Sequence, residues 1–103
     1  MQSFPSKIVG VSFNNRQINL KDVIEGKELF FKHEKGNPHD EYAILVYADS
    51  EMTRELGHLN RKMAKKVCQR ISMGVKQQIF ATARTGEDYS KRFGLNIRVV
   101  FES

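Results

Sequence analysis

Hydrogen-bonding side chains are concentrated at Asn37-Pro38-His39-Asp40, in the middle of the chain and between two apolar segments. The run places an amide, an imidazole and a carboxylate within a few residues, and these groups make directional hydrogen bonds to ligands. Proline fixes its own φ and restricts the residue before it, so we expect a rigid loop, a common place for binding residues. The same spacing also allows a simpler interpretation, in which Asp40 only caps its own turn.

The segments on either side of this loop have the patterns of β-strands. Residues 27–34 alternate apolar and polar side chains, and residues 42–47 are apolar on both faces, which predicts a hairpin whose second strand is central. Residues 15–26 are undecided, since Ile18 and Leu20 alternate as in a short strand while 22–26 could form a helical turn. The remaining predicted strands are residues 7–13 (around Gly10), 55–59, 75–83 and 95–101.

One helix is predicted over residues 61–73. Met63, Val67 and Ile71 recur at helical spacing, Asn60 is a suitable N-cap, and Gly74 is placed to end the helix. The opposite face is basic and polar, comprising Lys62, Lys65, Lys66, Gln69 and Arg70. This face could contact phosphates or could simply be a solvated surface.

Short connections between these elements leave no room for crossover helices, so a parallel sheet is excluded. The sequence therefore predicts a mostly β fold. We expect one domain over residues 1–103, a small and mainly antiparallel β-barrel of about six strands with one or two α-helices.

Composition favours an intracellular protein with an acidic partner. The chain has 17 Lys and Arg against 12 Asp and Glu, a net charge of +5 that favours polyanions. A single cysteine fits a reducing compartment, and the sequence has neither a long apolar run nor a signal-peptide core. We expect a cytoplasmic location and no membrane partner.

The side chains that could bind metal or perform catalysis lack the required spacing. His33, His39, His58 and Cys68 are not paired at close intervals as zinc ligands usually are, so no metal site is predicted. Cys68 falls on the apolar stripe of the helix, where a buried thiol is expected rather than a nucleophile. No glycine-rich phosphate loop is present. We therefore expect a protein that is not an enzyme and carries no cofactor.

Three segments of the chain resemble the HIRAN domain family. They are residues 9–13, the run from Asn37 to Ile44, and Leu56-Gly57-His58-Leu59 with the basic segment after it. The likeness extends over residues 9–101. It implies an OB-like barrel with inserted helices, a fold that binds single-stranded nucleic acid through a basic groove and aromatic platforms.

The resemblance also implies roles for individual residues. Asp40 would accept a hydrogen bond from the terminal 3′-hydroxyl of a DNA strand, Asn37 would supply a polar contact, Phe13 would stack on a base, and Arg61 would contact a phosphate. Together with the helix lysines, the predicted DNA-binding set is Phe13, Asn37, His39, Asp40, Arg61, Lys62, Lys65 and Lys66. Tyr89 and Phe93 are further candidates for exposed stacking rings.

Three positions depart from the DNA-binding members of the family. His39 and Asn14 stand where those members can have aromatic residues, and Ser12 stands where they can have an arginine. Because Ser12 cannot supply a phosphate-binding charge and an imidazole stacks over less area, we expect weaker DNA binding than in those members.

Two classes of function follow from the sequence. The first is a module that binds single-stranded DNA, at its 3′-hydroxyl end, in DNA repair or replication, with any helicase-type motor supplied by a partner protein. The second is a protein-interaction module that uses the open face of the barrel or a strand edge to bind a polypeptide.

Overall fold

A computed structural model describes residues 1–86 and 92–102 of the protein. These residues form six strands and two helices in the order β1 (Gln2–Val9), α1 (Arg16–Leu20), β2 (Glu28–His33), β3 (Ile44–Tyr47), β4 (Glu55–Leu59), α2 (Arg61–Ser72), β5 (Lys76–Thr85) and β6 (Gly94–Glu102).

The six strands close into an antiparallel barrel. Their order around it is β1-β4-β3-β2-β5-β6, and β6 pairs with β1 to complete the circle. The predicted loop connects β2 and β3, which pair as a hairpin, and β3 is flanked by β2 and β4. The predicted antiparallel barrel with two helices is confirmed, with most strand ends displaced by roughly one or two residues, as is common at element ends.

Alternating apolar residues fill the barrel. On β6, Leu95, Ile97, Val99 and Phe101 are at most 1% exposed, as their period of two predicts. Phe31 of β2 packs against this core with part of its surface accessible. Burial of these rows of side chains is the main stabilising contribution to the fold.

Helix α2 begins at the predicted cap. The side-chain oxygen of Asn60 accepts a hydrogen bond from the Met63 N–H at 2.8 Å, and Gly74 follows the helix with a φ of +80°. Val67 is fully buried, whereas Ile71 is 45% exposed. The predicted apolar stripe is therefore wrong at its last position, where the helix has passed the edge of the core.

The first strand lies earlier in the chain than the predicted 7–13. It ends at Val9, because Gly10 turns the backbone at a φ of +69°. The carbonyl oxygen of Gly10 then accepts a hydrogen bond from Nη1 of Arg16 at 2.7 Å. Phe13 consequently lies in a loop between β1 and α1 rather than at a strand end.

Helix α1 resolves the undecided segment 15–26. Leu20 is completely buried and Ile18 is 66% exposed, so the two side chains point to different faces of a short helix. The N–H of Gly26 then donates to the carbonyl of Ala81 at 2.8 Å, which fixes the start of β2 beside β5.

Helix α2 lies along β1. Nδ2 of Asn60 donates to Oγ of Ser6 at 3.1 Å, and Nη1 of Arg70 donates to Oε1 of Gln2 at 3.0 Å. The start of α2 is thus beside the end of β1, and the two elements run in opposite directions.

The lengths of the helices bear on membrane association. Within residues 1–86 and 92–102, neither helix is long and apolar enough to span a bilayer.

Candidate nucleic-acid interface

The side chain of Asn37 organises the loop between β2 and β3. Its Oδ1 accepts hydrogen bonds from the backbone N–H groups of His39, at 2.9 Å, and Asp40, at 3.2 Å. An asparagine that accepts from the backbone two and three residues ahead fixes a tight turn. Asn37 therefore holds His39 and Asp40 in place, as the rigidity predicted from Pro38 requires.

Asp40 uses its two carboxylate oxygens differently. Oδ1 accepts a hydrogen bond from the Tyr42 N–H at 2.9 Å, and Oδ2 lies 3.8 Å from Nε of Arg61. The Asp40 side chain is 17% exposed, whereas that of Arg61 is 77% exposed. One oxygen thus satisfies the turn-capping interpretation of Asp40. The other makes a weak, solvent-screened ion pair with Arg61, whose Nη2 also donates to the carbonyl of His39 at 3.2 Å.

Four residues of the predicted set meet at one pocket, here called the loop pocket. Its volume is about 280 Å³, and it is lined by Val9, Asn37, His39, Asp40, Ala43, His58, Leu59 and Arg61. A depression of about 330 Å³ shares three of these residues and continues to Lys65. The structure therefore brings Asn37, His39, Asp40 and Arg61 together.

A pair of side chains supports the loop pocket, one from the residue that follows β2 and one from β4, and the sequence did not indicate a role for it. Oε1 of Glu34 lies 2.5 Å from Nε2 of His58 and also accepts a hydrogen bond from Nδ2 of Asn37 at 3.5 Å. Glu34 thereby connects the loop to β4. His58 belongs to the Leu-Gly-His-Leu segment, so the motif gave a signal for it, but none for Glu34.

The lysines of α2 line a second depression, here called the lysine groove. It lies between β1 and α2, has a volume of about 880 Å³, and is lined by Pro5, Ser6, Lys7, Asn60, Lys62, Met63, Lys65, Lys66 and Gln69. Lys7 is a member that the sequence analysis missed, because helical periodicity cannot indicate which strand packs beside a helix. Arg70 is engaged elsewhere, with its guanidinium 4.9 Å from the centroid of the Phe101 ring.

Phe13 is 64% exposed, in a loop anchored to β4. Its neighbour Asn14 has a φ of +54° and donates from Nδ2 to Oε1 of Glu55 at 2.6 Å, and Nε of Arg16 lies 3.6 Å from the same oxygen. Asparagine tolerates this left-handed conformation better than an aromatic residue would. The Phe13 ring is accessible but does not line the loop pocket.

Tyr89 and Phe93 are the two other candidates for stacking rings. Tyr89 lies outside the described residues. Phe93 packs against the core with part of its surface, its backbone N–H donates to Oε1 of Gln17 at 2.6 Å, and the Arg84 guanidinium lies 5.0 Å from its ring centroid. The Phe93 ring is therefore less accessible to a base than that of Phe13.

Cys68 faces the Tyr42 backbone from the inner side of α2. Its thiol donates a weak hydrogen bond to the carbonyl of Tyr42 at 3.6 Å. Burial, with a smaller contribution from the negative charge of Asp40, raises the pKa of the Cys68 thiol above its ordinary value. A raised pKa leaves less thiolate at neutral pH, which is the property of a structural cysteine.

The closed antiparallel barrel, the helix along it and the basic depressions define a small OB-like domain with a surface suited to anions. The chain belongs to the HIRAN family, a family of DNA-binding modules: the family's model, described as HIRAN domain, matches residues 1–102. The resemblance predicted from the sequence is thus confirmed.

Two solved structures share this fold. The crystal structure of the HIRAN domain of human HLTF superposes with a TM-score of 0.72 at 17% sequence identity, covering 96% of this chain and 74% of that chain. A protein from Lactobacillus plantarum superposes with a TM-score of 0.70 at 17% identity, covering 99% of this chain and 98% of that one. No curated protein sequence matches the chain significantly.

Proposed function

We propose that this domain binds single-stranded DNA and recognises the 3′-hydroxyl end of the strand. The observation that supports the proposal is the arrangement at Asp40, where one carboxylate oxygen is committed to the Tyr42 N–H and the other lies beside Arg61 at the loop pocket. Asn37 and the Glu34–His58 pair hold this carboxylate in place without requiring a ligand.

The chemistry of the two side chains suits a strand terminus. An ionised carboxylate only accepts hydrogen bonds, so Asp40 can bind a free 3′-hydroxyl and repels a 3′-phosphate. The guanidinium of Arg61 can exchange its long contact with Asp40 and its exposed bond to the His39 carbonyl for a pairing with the last phosphodiester. His39 would lie beside the terminal base, where its imidazole ring offers a small stacking surface.

The cellular process is part of the proposal. A module that recognises free 3′ ends would act where such ends are produced, in DNA repair or replication. A helicase-type partner that supplies motor activity is part of the same proposal.

The test compares end preference in the wild type and in Asp40→Asn. Asparagine keeps an oxygen for the Tyr42 N–H, so the turn is retained, but it removes the charge that repels a 3′-phosphate. We expect the wild type to bind a 3′-hydroxyl oligonucleotide about ten- to hundredfold more tightly than the 3′-phosphorylated strand, the value of a hydrogen bond to a charged group. The variant should lose most of this preference.

Fluorescence polarisation titrations with the two oligonucleotides measure the ratio, and thermal unfolding confirms that the variant is folded. Glu25→Gln is a matched control, because it removes one negative charge at an exposed residue that does not line the loop pocket. Equal wild-type affinity for the two ends would overturn end recognition.

A protein-interaction function is the second candidate, and exposed apolar residues favour it. Ile24 is 70% exposed beside a depression of about 350 Å³, and Ile18 is 66% exposed. Each strand has a neighbour on both sides of the barrel, and α2 lies beside residues 2–7 of β1, which pair only with β6, so addition of a peptide strand there is disfavoured. A polypeptide would therefore bind beside Ile24, at a depression that is also lined by charged residues such as Asp22 and Arg54. Single-stranded DNA titrated at two salt concentrations would show a steep salt slope for the first function and no complex for the second.

A further inference from the structure

All the charged residues that line the lysine groove are positively charged. Its nine lining residues include the ammonium groups of Lys7, Lys62, Lys65 and Lys66 and no carboxylate. The ion pairs found among the described residues involve arginine and histidine, and none involves a groove lysine. Positive charge is therefore uncompensated between β1 and α2, which concentrates an anionic ligand there.

The groove exists because one side of β1 lacks a strand partner over most of its length. Residues 2–7 pair with β6, and only Ile8 and Val9 pair with β4. Helix α2 occupies the other side of the strand, where Asn60 bonds Ser6 and Arg70 bonds Gln2. The two walls are thus rigid elements, each held by backbone hydrogen bonds and by side chains that cross between them.

One of the lysines is held in position before any ligand binds. Nζ of Lys66 lies 3.5 Å from the centroid of the Phe4 ring, a close cation–π contact. Phe4 is fixed in turn by an edge contact with Phe101 in the core, with ring centroids 5.9 Å apart. Positioning of the ammonium group in advance lowers the entropy cost of binding a phosphate.

Lys65 connects the lysine groove with the loop pocket. It lines the groove and also the depression that contains Asp40 and Arg61. Arg61 and Lys65 are four residues apart on α2, so their side chains lie on the same face of the helix. Lys65 therefore joins the lysine groove to a depression of mixed charge, in which Arg61 and Lys65 lie with the carboxylates of Asp40 and Glu41.

We propose that the lysine groove holds the phosphates on the 5′ side of the same strand whose 3′ end lies at Asp40. The strand would run from the groove across Lys65 to the loop pocket, and Lys7 would be a phosphate contact contributed by β1. This inference rests on the proposed function, because a 3′ terminus at Asp40 leaves only the 5′ side of the strand to occupy the groove.

The length of the groove sets the ligand size. Lys62 and Gln69 are seven residues apart on α2, which corresponds to about 10 Å along the helix axis. A pocket for the terminal nucleotide and a groove of this length fit a strand of several nucleotides, near the lower end of the range of about 4 to 16 for an OB fold.

The experiment measures affinity against strand length. Oligothymidylates of about 3, 6 and 12 nucleotides with 3′-hydroxyl ends bracket the expected site size. We expect wild-type affinity to rise at least tenfold from the shortest to the middle length and little thereafter. Lys7→Gln/Lys62→Gln should remove most of that rise and lower the salt slope by about 1.4, or about 0.7 per lost contact.

The matched control is Lys21→Gln/Lys32→Gln, which removes the same charge from exposed residues outside the groove. The control should keep the length dependence, and both double variants should keep the preference for a 3′-hydroxyl, since Asp40 is unchanged. All four substituted lysines are exposed, so folding should be unaffected.

Four results would overturn the proposal. Affinity that is independent of length, with end preference intact, would leave the loop pocket as the whole site. An equal effect of both double variants would show that only net charge matters. Tighter binding of blunt duplex than of single strands would assign the groove to duplex phosphates. Absence of any single-strand binding would overturn the proposed function and this inference together.

Discussion

Asp40 shows that capping a turn and binding a ligand are compatible roles for one carboxylate. A carboxylate has about four lone-pair sites, and the Tyr42 N–H uses one of them. The turn bond fixes the orientation of the side chain, so the second oxygen has a defined position beside Arg61. A residue already ordered by its own loop loses little further entropy when it binds.

Among the described aromatic residues, Phe13 is the one most suited to stacking on a base. It is 64% exposed, and its loop is fixed to β4 through Asn14 and Arg16. We expect Phe13→Ala to weaken single-strand binding by about 1 to 3 kcal/mol, the usual value of a base–aromatic stack, while leaving the thermal transition in place. Polarisation titrations and a melting curve measure the two quantities.

A matched control for Phe13 is Ile24→Ala, which removes a side chain that is 70% exposed and lies at a different depression. This variant should bind DNA as the wild type does. Unchanged affinity in Phe13→Ala, or loss of its folded state, would show that the ring is not a stacking platform.

At the scale of elements, the sequence predicted α2 and five of the six strands near their observed positions, placed β1 too late and left α1 undecided. The alternation in β6 and the stripe and caps of α2 were readable because burial on one side of each element fixes the pattern. The first half of β1 could not be recognised in this way, since Pro5 normally argues against a strand. The proline is tolerated here because residues 2–7 pair with only one neighbouring strand.

The site was predictable to the same extent. Asn37 and Asp40 could be found from their motif, and the position of Arg61 followed from the resemblance. Glu34 and Lys7 could not be found from the sequence, because their partners are distant along the chain. His58 is 24 residues from Glu34, and the groove beside Lys7 depends on how α2 packs. Contacts of this kind follow from closure of the barrel and leave no local pattern.

The β3–β4 turn gives a pH-dependent prediction. The Asp49 carboxylate accepts hydrogen bonds from the Thr53 hydroxyl and from the backbone N–H groups of Thr53 and Arg54. The Thr53 hydroxyl bond is the largest cause that lowers the pKa of Asp49 from its ordinary value of 3.8. Because the pKa is lowered in the folded state, the ionised Asp49 carboxylate stabilises the fold at pH values above 3.8. This contribution disappears as the pH falls through the lowered pKa.

We therefore expect Asp49→Asn to have a lower urea midpoint than the wild type at neutral pH. Below about pH 4 the two midpoints should approach each other. Urea unfolding at several pH values measures both midpoints. Glu51→Gln, a change of the same charge at an exposed position in the same turn, should show neither effect. A gap between wild type and Asp49→Asn that stays constant down to acid pH would contradict the assignment.

For the molecule as a whole, the loop pocket lies beside the short pairing between β1 and β4, one of the contacts that hold the barrel closed. β1 leaves β6 and pairs with β4 only through Ile8 and Val9, so this contact is the shortest along β1. Val9 from β1 and His58 and Leu59 from β4 line the pocket next to the Asn37–Asp40 loop. Closure of the barrel and formation of the site therefore depend on the same few contacts.

Gly57 allows β1 and β4 to approach each other closely. It lies in β4 with a φ of +149°, and a Cβ at this position would be 2.5 Å from Cγ2 of Ile8 and 2.5 Å from the carbonyl oxygen of Val9. Gly57→Ala should therefore combine backbone strain of about 1 to 3 kcal/mol with a clash that pushes β1 away from β4. We expect a lower urea midpoint and, because Val9 lines the loop pocket, a weaker preference for 3′-hydroxyl ends.

Gly26→Ala separates the two causes. Gly26 has a φ of +86°, but a Cβ there would have no atom within 4 Å, so this variant tests backbone strain alone. Urea unfolding of both variants, followed by titration with the two oligonucleotide ends, should show the larger loss of stability in Gly57→Ala and a change of end preference in that variant only. Equal destabilisation of both, with end preference intact, would show that β1 can move at this contact without disturbing the pocket.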